Sequence, residues 1–254
     1  MTALTPPEFE TVEYYVEDGT AWIRLNRPEV LNAFSSRMYG ELKSALRMAD
    51  HDSDIDTIAI TGTGKAFGTG GDLKELLECL DNPDPLAIYR FDDALPFDVL
   101  RRIGKTTFAV VNGTCVAGGL MITLLCDFSI ASDSASFGAP EGRVGFADAF
   151  LPSLLYGRVS TPRTKYLLYT GKSISASQAM EMGLITMAVP HDELIDSTRK
   201  MISEVRETSP LSRKLYKSYL DRLLPSAHID DSHPAMRSPE AISRLKEFAN
   251  RRKS

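Results

Sequence analysis

The chain has 254 residues and a mass of 28.0 kDa, with 43% apolar and 25% charged residues, which is globular composition and excludes a disordered chain. A net charge of −5, from 29 basic and 34 acidic residues, leaves no basic surplus for nucleic acid. The longest apolar runs, near Phe108–Val111 and Leu120–Cys126, are too short to span a bilayer, so no membrane partner is expected.

Residues Met1 to Glu10 show neither a basic segment nor an apolar run, so a secretory signal is not expected there. Val12 to Asn26 reads as a hairpin: alternating Val12, Tyr14 and Val16, turn residues at Glu17-Asp18-Gly19-Thr20, then alternating Ala21, Ile23 and Leu25. Ser35 or Ser36 caps a predicted helix to about Asp50, whose apolar face holds Met38, Leu42, Ala45, Leu46 and Ala49. Ile55 to Thr61 reads as a buried strand running into the glycine-rich segment Gly62 to Asp72, and a helix is predicted from about Leu73. Leu86 to Ile103 reads as helical and Thr106 to Val111 as a β-branched strand, with a turn at Asn112-Gly113. Ala117-Gly118-Gly119 opens an apolar helix to about Cys126, and strands follow at Asp127 to Ala131 and Ala135 to Phe137.

Strand, glycine turn and buried helix therefore recur, which predicts an α/β fold. Beyond about Tyr156 the pattern is all-helical, with helices at 161–169, 175–182, 192–207, 210–224 and 239–250. Pro225 to Ser238 reads as a connector. Cys79, Cys115 and Cys126 lack C-x-x-C spacing and read as buried or partly buried thiols of a reducing, cytoplasmic compartment. The four histidines show no metal spacing, and no metal site is expected.

Gly62-Thr63-Gly64-Lys65 fails as a nucleotide-triphosphate loop, because position 59 is alanine and Ala66 stands where Ser or Thr is required. More informative are two glycine turns that each lead into a helix, Gly70-Gly71 before Leu73 and Gly118-Gly119 before Leu120. Free N–H groups at helix starts favour negative charge, and two that converge on one oxygen form an oxyanion hole. Two tight turns are the simpler alternative.

In these residues the chain resembles the crotonase superfamily, the enoyl-CoA hydratase/isomerase family. The resemblance rests on Leu25-Asn26-Arg27-Pro28, Leu31-Asn32-Ala33, Gly62 to Phe67 and Gly70-Gly71-Asp72-Leu73. It continues through Val111-Asn112-Gly113, Gly118-Gly119, Cys126-Asp127, Phe137-Gly138, Pro140-Glu141 and Gly145, and ends with Leu168 to Gly171, Ile174 to Ala176, Gly183-Leu184 and Phe248 to Lys253. It implies a ββα spiral core over residues 1–190, a C-terminal helical region over 191–254 that builds a homotrimer or homohexamer, and chemistry on an acyl- or enoyl-CoA. No cofactor is implied beyond the CoA carried by the substrate.

By the same resemblance, the oxyanion amides fall on Gly71 and Gly119. Ala33, Gly70, Gly71, Asp72, Leu73, Lys74 and Gly118 would line the CoA, and Phe248 and Arg251 would reach the CoA of a neighbouring subunit. Hydratases of the family use two glutamates. The second falls on Glu141; the first falls on Met121, a thioether that neither binds nor deprotonates water. Asp148 aligns, with a one-residue gap, to an acid of some family isomerases, and serves equally well as the cap of a helix over 149–155. A single acid favours moving a double bond over adding water. A non-catalytic acyl-CoA-binding protein is the alternative.

Overall fold

The computed structural model describes residues 8–81, 95–225 and 235–251. The N-terminal hairpin forms as expected: strands β1 (Val12–Glu17) and β2 (Thr20–Leu25) pair antiparallel with Glu17 opposite Thr20. Asp18 and Gly19 both adopt positive φ, the backbone a two-residue hairpin turn needs. Helix α1 (Ser36–His51) follows, and the Ser35 hydroxyl accepts the Met38 N–H at 3.1 Å, which resolves the choice of cap.

Two sheets are then wound together. β3 (Thr57–Gly62), β5 (Thr106–Val111), β7 (Phe128–Ser132) and, far along the chain, β10 (Met187–Val189) join the hairpin in a six-stranded sheet of order β1-β2-β3-β5-β7-β10, parallel from β2 onward. After each of β3, β5 and β7 the chain adds a short strand to a second sheet: β4 (Ala66–Gly68), β6 (Thr114–Val116) and β8 (Ser136–Gly138). A helix closes the first two turns, α2 (Leu73–Asp81) after β4 and α4 (Gly118–Leu125) after β6, with α3 (Phe97–Arg102) lying between α2 and β5. This is the ββα spiral that the resemblance implies. The part of the predicted 86–103 helix before residue 95 lies outside the described residues, as do most of the 225–238 connector and the 252–254 tail.

The inner strands β2, β3, β5 and β7 are buried on both faces, and alternate residues sort between two cores. Along β5, Ala109 and Val111 join the core beneath α1, while Phe108 and Val110 join a second cluster with Trp22, Leu194 and Ile202. Leu194 and Ile202 belong to α8 (Leu194–Arg206), which therefore covers the far face of the sheet.

The all-helical reading after Tyr156 is corrected. After α5 (Leu151–Leu155), helices α6 (Thr161–Thr170), α7 (Ala176–Glu181), α9 (Pro210–Asp221) and α10 (Pro239–Arg251) are present, but so are β9 (Ile174–Ser175) and β10 (Met187–Val189). β9 pairs with β8, and β10 pairs in parallel with β7. Segments of two and three residues carry no readable periodicity; their partners, more than 30 positions away in sequence, make them strands. Cys115 and Cys126 are buried and Cys79 is partly buried, all three as free thiols.

Candidate active site

The two glycine turns meet. A Cβ placed on Gly70 would lie 2.6 Å from the Ala117 Cβ, and one placed on Gly119 would lie 2.4 Å from the Gly68 carbonyl oxygen. Only glycine allows these backbones to approach so closely. Phe34 organises the first turn: its N–H donates to the Gly70 carbonyl and its own carbonyl accepts the Asp72 N–H, both at 2.8 Å. In such a parallel bridge, the N–H of the residue between, Gly71, points away from Phe34. In the second turn, Ala117 holds φ 52° and ψ −124°, a conformation rare for a residue with a side chain. The first intrahelical bond of α4 is Met121 N–H to the Ala117 carbonyl at 2.9 Å, so the amides of Gly118, Gly119 and Leu120 precede the helical ladder.

Around the first turn, Asp72 accepts from Arg27 Nη1 and Nη2 at 3.0 Å and from the Lys74 N–H at 3.1 Å. Arg27 also donates to the Ala33 carbonyl at 2.6 Å. Asp72 thus caps α2 and ties it to the Arg27–Ala33 loop. This brings Ala33, Gly70, Gly71, Leu73 and Lys74 to one edge, with the Lys74 side chain in solvent.

Glu141 opens a short turn, Glu141–Val144, ended by Gly145 in the left-handed region. The Phe146 N–H closes this turn on the Glu141 carbonyl, and Arg143 Nε donates to the Thr170 carbonyl at the end of α6. Helix α10 presses on it from outside: a Cβ on Gly145 would come within 2.7 Å of the Ala241 Cα. The same helix packs against α2. Phe248 and Arg251, expected at a neighbouring subunit's CoA, are therefore carried by a helix seated on its own chain's α2.

Both Glu141 carboxyl oxygens are closed off from solvent and accept no hydrogen bond from any other residue. Burial, reinforced by the nearby Asp148 charge and opposed by the residue's own N–H, raises the Glu141 pKa to about 8. Asp148 is raised as well, by burial, although its Oδ1 accepts the N–H groups of Phe150 (2.8 Å) and Leu151 (2.5 Å). Asp148 thus holds the amides that lead into α5, which begins at Leu151 and not at the expected 149, and its charge adds to the rise at Glu141.

Met121 is 7% exposed and belongs to the core beside Leu120 and Ile122. Tyr39, absent from the sequence reading, is buried next to the same site. Burial and then the charges of Asp148 and Glu141 raise its pKa. Its ring stacks on Phe34 at 4.7 Å and meets the edge of Phe97 at 5.8 Å, and Phe97 in turn meets Phe150 at 5.2 Å. Tyr39 falls on the buried stripe of α1, next to Met38, where it passes for ordinary core.

Known proteins agree with this architecture. The sequence profile described as enoyl-CoA hydratase/isomerase matches residues 16–241. A protein described as a probable enoyl-CoA hydratase of Mycobacterium bovis is 31% identical over 226 residues, covering 86% of this chain and 84% of its own. The hydroxycinnamoyl-CoA hydratase-lyase of Pseudomonas fluorescens is 33% identical over 207 residues, covering 80% of this chain and 75% of its own. Among solved structures, an enoyl-CoA hydratase/isomerase from Xanthobacter autotrophicus Py2 superposes with TM-score 0.80 at 28% identity, over 96% of this chain and 94% of that one. An enoyl-CoA hydratase from Bacillus halodurans, 21% identical, shares the fold with TM-score 0.85 over 94% of this chain and 100% of that one. Among the described residues no helix is long and apolar enough to cross a membrane.

Proposed function

The chain belongs to the enoyl-CoA hydratase/isomerase family, and from that premise we propose that it shifts a double bond in an enoyl-CoA, with Glu141 as the proton carrier. The observation that carries this reading is the Glu141 carboxyl, buried, unbonded and raised to about 8. A carboxyl that changes protonation near neutral pH takes a proton from one carbon and returns it to another. The thioester oxygen, negative in between, is held by the amides of Gly71 and Gly119, whose turns are in contact. The first-turn amide of Gly118 stands beside them. The Gly70–Lys74 edge and Ala33 would hold the CoA, and Lys74 would offer its phosphates a solvent-exposed cation. Phe248 and Arg251, on the helix packed over α2, would reach the CoA of a neighbouring subunit.

Hydration requires a base for water and an acid for the α-carbon. Met121 supplies neither and is packed into the core. Asp148 is engaged by two backbone amides and would tune Glu141 rather than activate water. The test compares turnover of a 2-enoyl-CoA with that of a 3-enoyl-CoA of equal length. The 3-enoyl-CoA is expected to be converted roughly a hundred-fold faster or more, the lower end of a general acid–base contribution. Rapid hydration of the 2-enoyl-CoA would overturn the division of roles.

We also propose a homotrimer or a dimer of trimers. Helix α9 exposes Leu211 (65%), Leu215, Tyr216 (63%), Tyr219 and Leu220, a stripe at helical spacing. Such a continuous apolar patch marks an interface. Sedimentation at micromolar concentration is expected to give a multiple of three 28.0 kDa chains. The double substitution Leu215→Lys and Tyr219→Lys should reduce the mass to one chain; an unchanged mass places the interface elsewhere.

A further inference from the structure

We propose that Tyr39 is a third hydrogen-bond donor to the acyl group: its hydroxyl, seated at the first turn of α4 beside the Glu141–Asp148 carboxyls, bonds the thioester oxygen as that oxygen becomes an enolate. The inference rests on the acyl-CoA reading and adds a residue to it.

The position of the hydroxyl is the first support. A Cβ on Gly118 would lie 2.3 Å from the Tyr39 oxygen, so the phenol occupies the space that any other residue at 118 would fill. Helical Cβ bonds lean toward the N-terminus, so the hydroxyl lies at the end of α4 toward which the first-turn N–H groups point. The second support is rigidity. Phe34 stacks on the ring with an interplanar angle of 9°, and Phe97 closes it edge-on at 77°. Phe34 also pairs through its backbone with the Gly70–Asp72 turn, so one aromatic stack touches both glycine turns. A donor fixed before substrate arrives costs no reorganisation in the reaction.

The third support is chemical. Tyr39 is 3% exposed, so its hydroxyl is held away from bulk water. Burial and the two neighbouring carboxyls hold the phenol in its neutral form, which donates. A growing negative charge on the thioester oxygen is what such a donor stabilises.

The experiment uses Tyr39→Phe, Tyr39→Leu and Glu141→Gln in the full chain. Two quantities are read: turnover of a short 3-enoyl-CoA, and the ultraviolet band of a bound 2,4-dienoyl-CoA, which moves to the red as its carbonyl is polarised. Tyr39→Phe is expected to leave KM within about two-fold, to lower kcat roughly ten- to a hundred-fold, and to reduce the red shift per bound ligand. If Tyr39 only fills space, Phe restores both kcat and the red shift while Leu does not, and the proposal falls. The shift is read per bound molecule, so a lowered melting temperature does not mask it. Glu141→Gln should keep the red shift and lose turnover. If the wild-type protein neither binds nor shifts the dienoyl-CoA, the acyl-CoA reading falls and takes this inference with it. A full shift in both wild type and Tyr39→Phe removes the inference alone.

Discussion

Glu141→Gln is expected to lower double-bond migration roughly a thousand-fold while leaving the protein folded and able to bind its thioester. An amide matches the carboxyl in shape but does not cycle a proton at neutral pH. The same change should raise stability, and the sign follows from burial. An unfolded Glu ionises near 4.5, whereas the folded Glu141 holds its proton to about 8. Between those values the folded state binds more protons than the unfolded state, so stability falls as pH rises through this window. Gln removes that dependence. Its melting temperature should exceed the wild-type value at pH 8 by more than it does at pH 5. The rate should report the same group, with kcat/KM rising toward an apparent pKa near 8. Asp148→Asn removes the nearby charge and keeps an oxygen for the Phe150 and Leu151 amides. It should move that limb to lower pH. A Glu141→Gln protein that retains its rate, or a limb that ignores Asp148, assigns the proton to another group.

How much of this was visible in the sequence depended on whether a feature was local. The hairpin, α1 and its cap, β5, and the turns at Gly70-Gly71 and Gly118-Gly119 were legible because turn chemistry, capping and periodicity act over a few residues. Short strands β4, β6, β9 and β10 were not, since each is defined by a partner distant in the chain. The order and spacing of motifs supplied the spiral that periodicity alone left as a generic α/β fold. Within the site, Glu141 was legible from its motif, whereas its isolation from hydrogen bonds is a property of packing. The seat of α10 against α2 and the Glu141–Val144 turn joins segments about 100 or more positions apart, which no local rule reaches. Tyr39 was missed for a different reason: its position in the buried stripe is accounted for by burial alone, and only its neighbours distinguish it.

Gly119→Ala is expected to cost roughly a hundred-fold in turnover even though it retains the backbone donor. The added Cβ would stand 2.4 Å from the Gly68 carbonyl oxygen and 2.9 Å from its carbon. Ordinary contact begins near 3.4 Å, so the turns would have to part by about 1 Å. Both obstacles are backbone, and no side-chain rotation relieves them. A displacement of about 1 Å between two oxyanion donors is enough to lose about two orders of magnitude, since hydrogen bonds to a developing charge depend on fixed geometry. Gly118→Ala provides the contrast. There the obstacle is the Tyr39 oxygen at 2.3 Å, and the next atom, the ring carbon bearing it, lies at 3.5 Å. The melting temperature lost in Gly118→Ala should therefore return when Tyr39→Phe is added, whereas Gly119→Ala should gain nothing from that partner. Gly40→Ala is the neutral control, because a Cβ on Gly40 meets nothing within 4 Å. If Gly119→Ala turns over like Gly40→Ala, the contact between the two turns does not set the position of the donors, and the oxyanion site must be sought elsewhere.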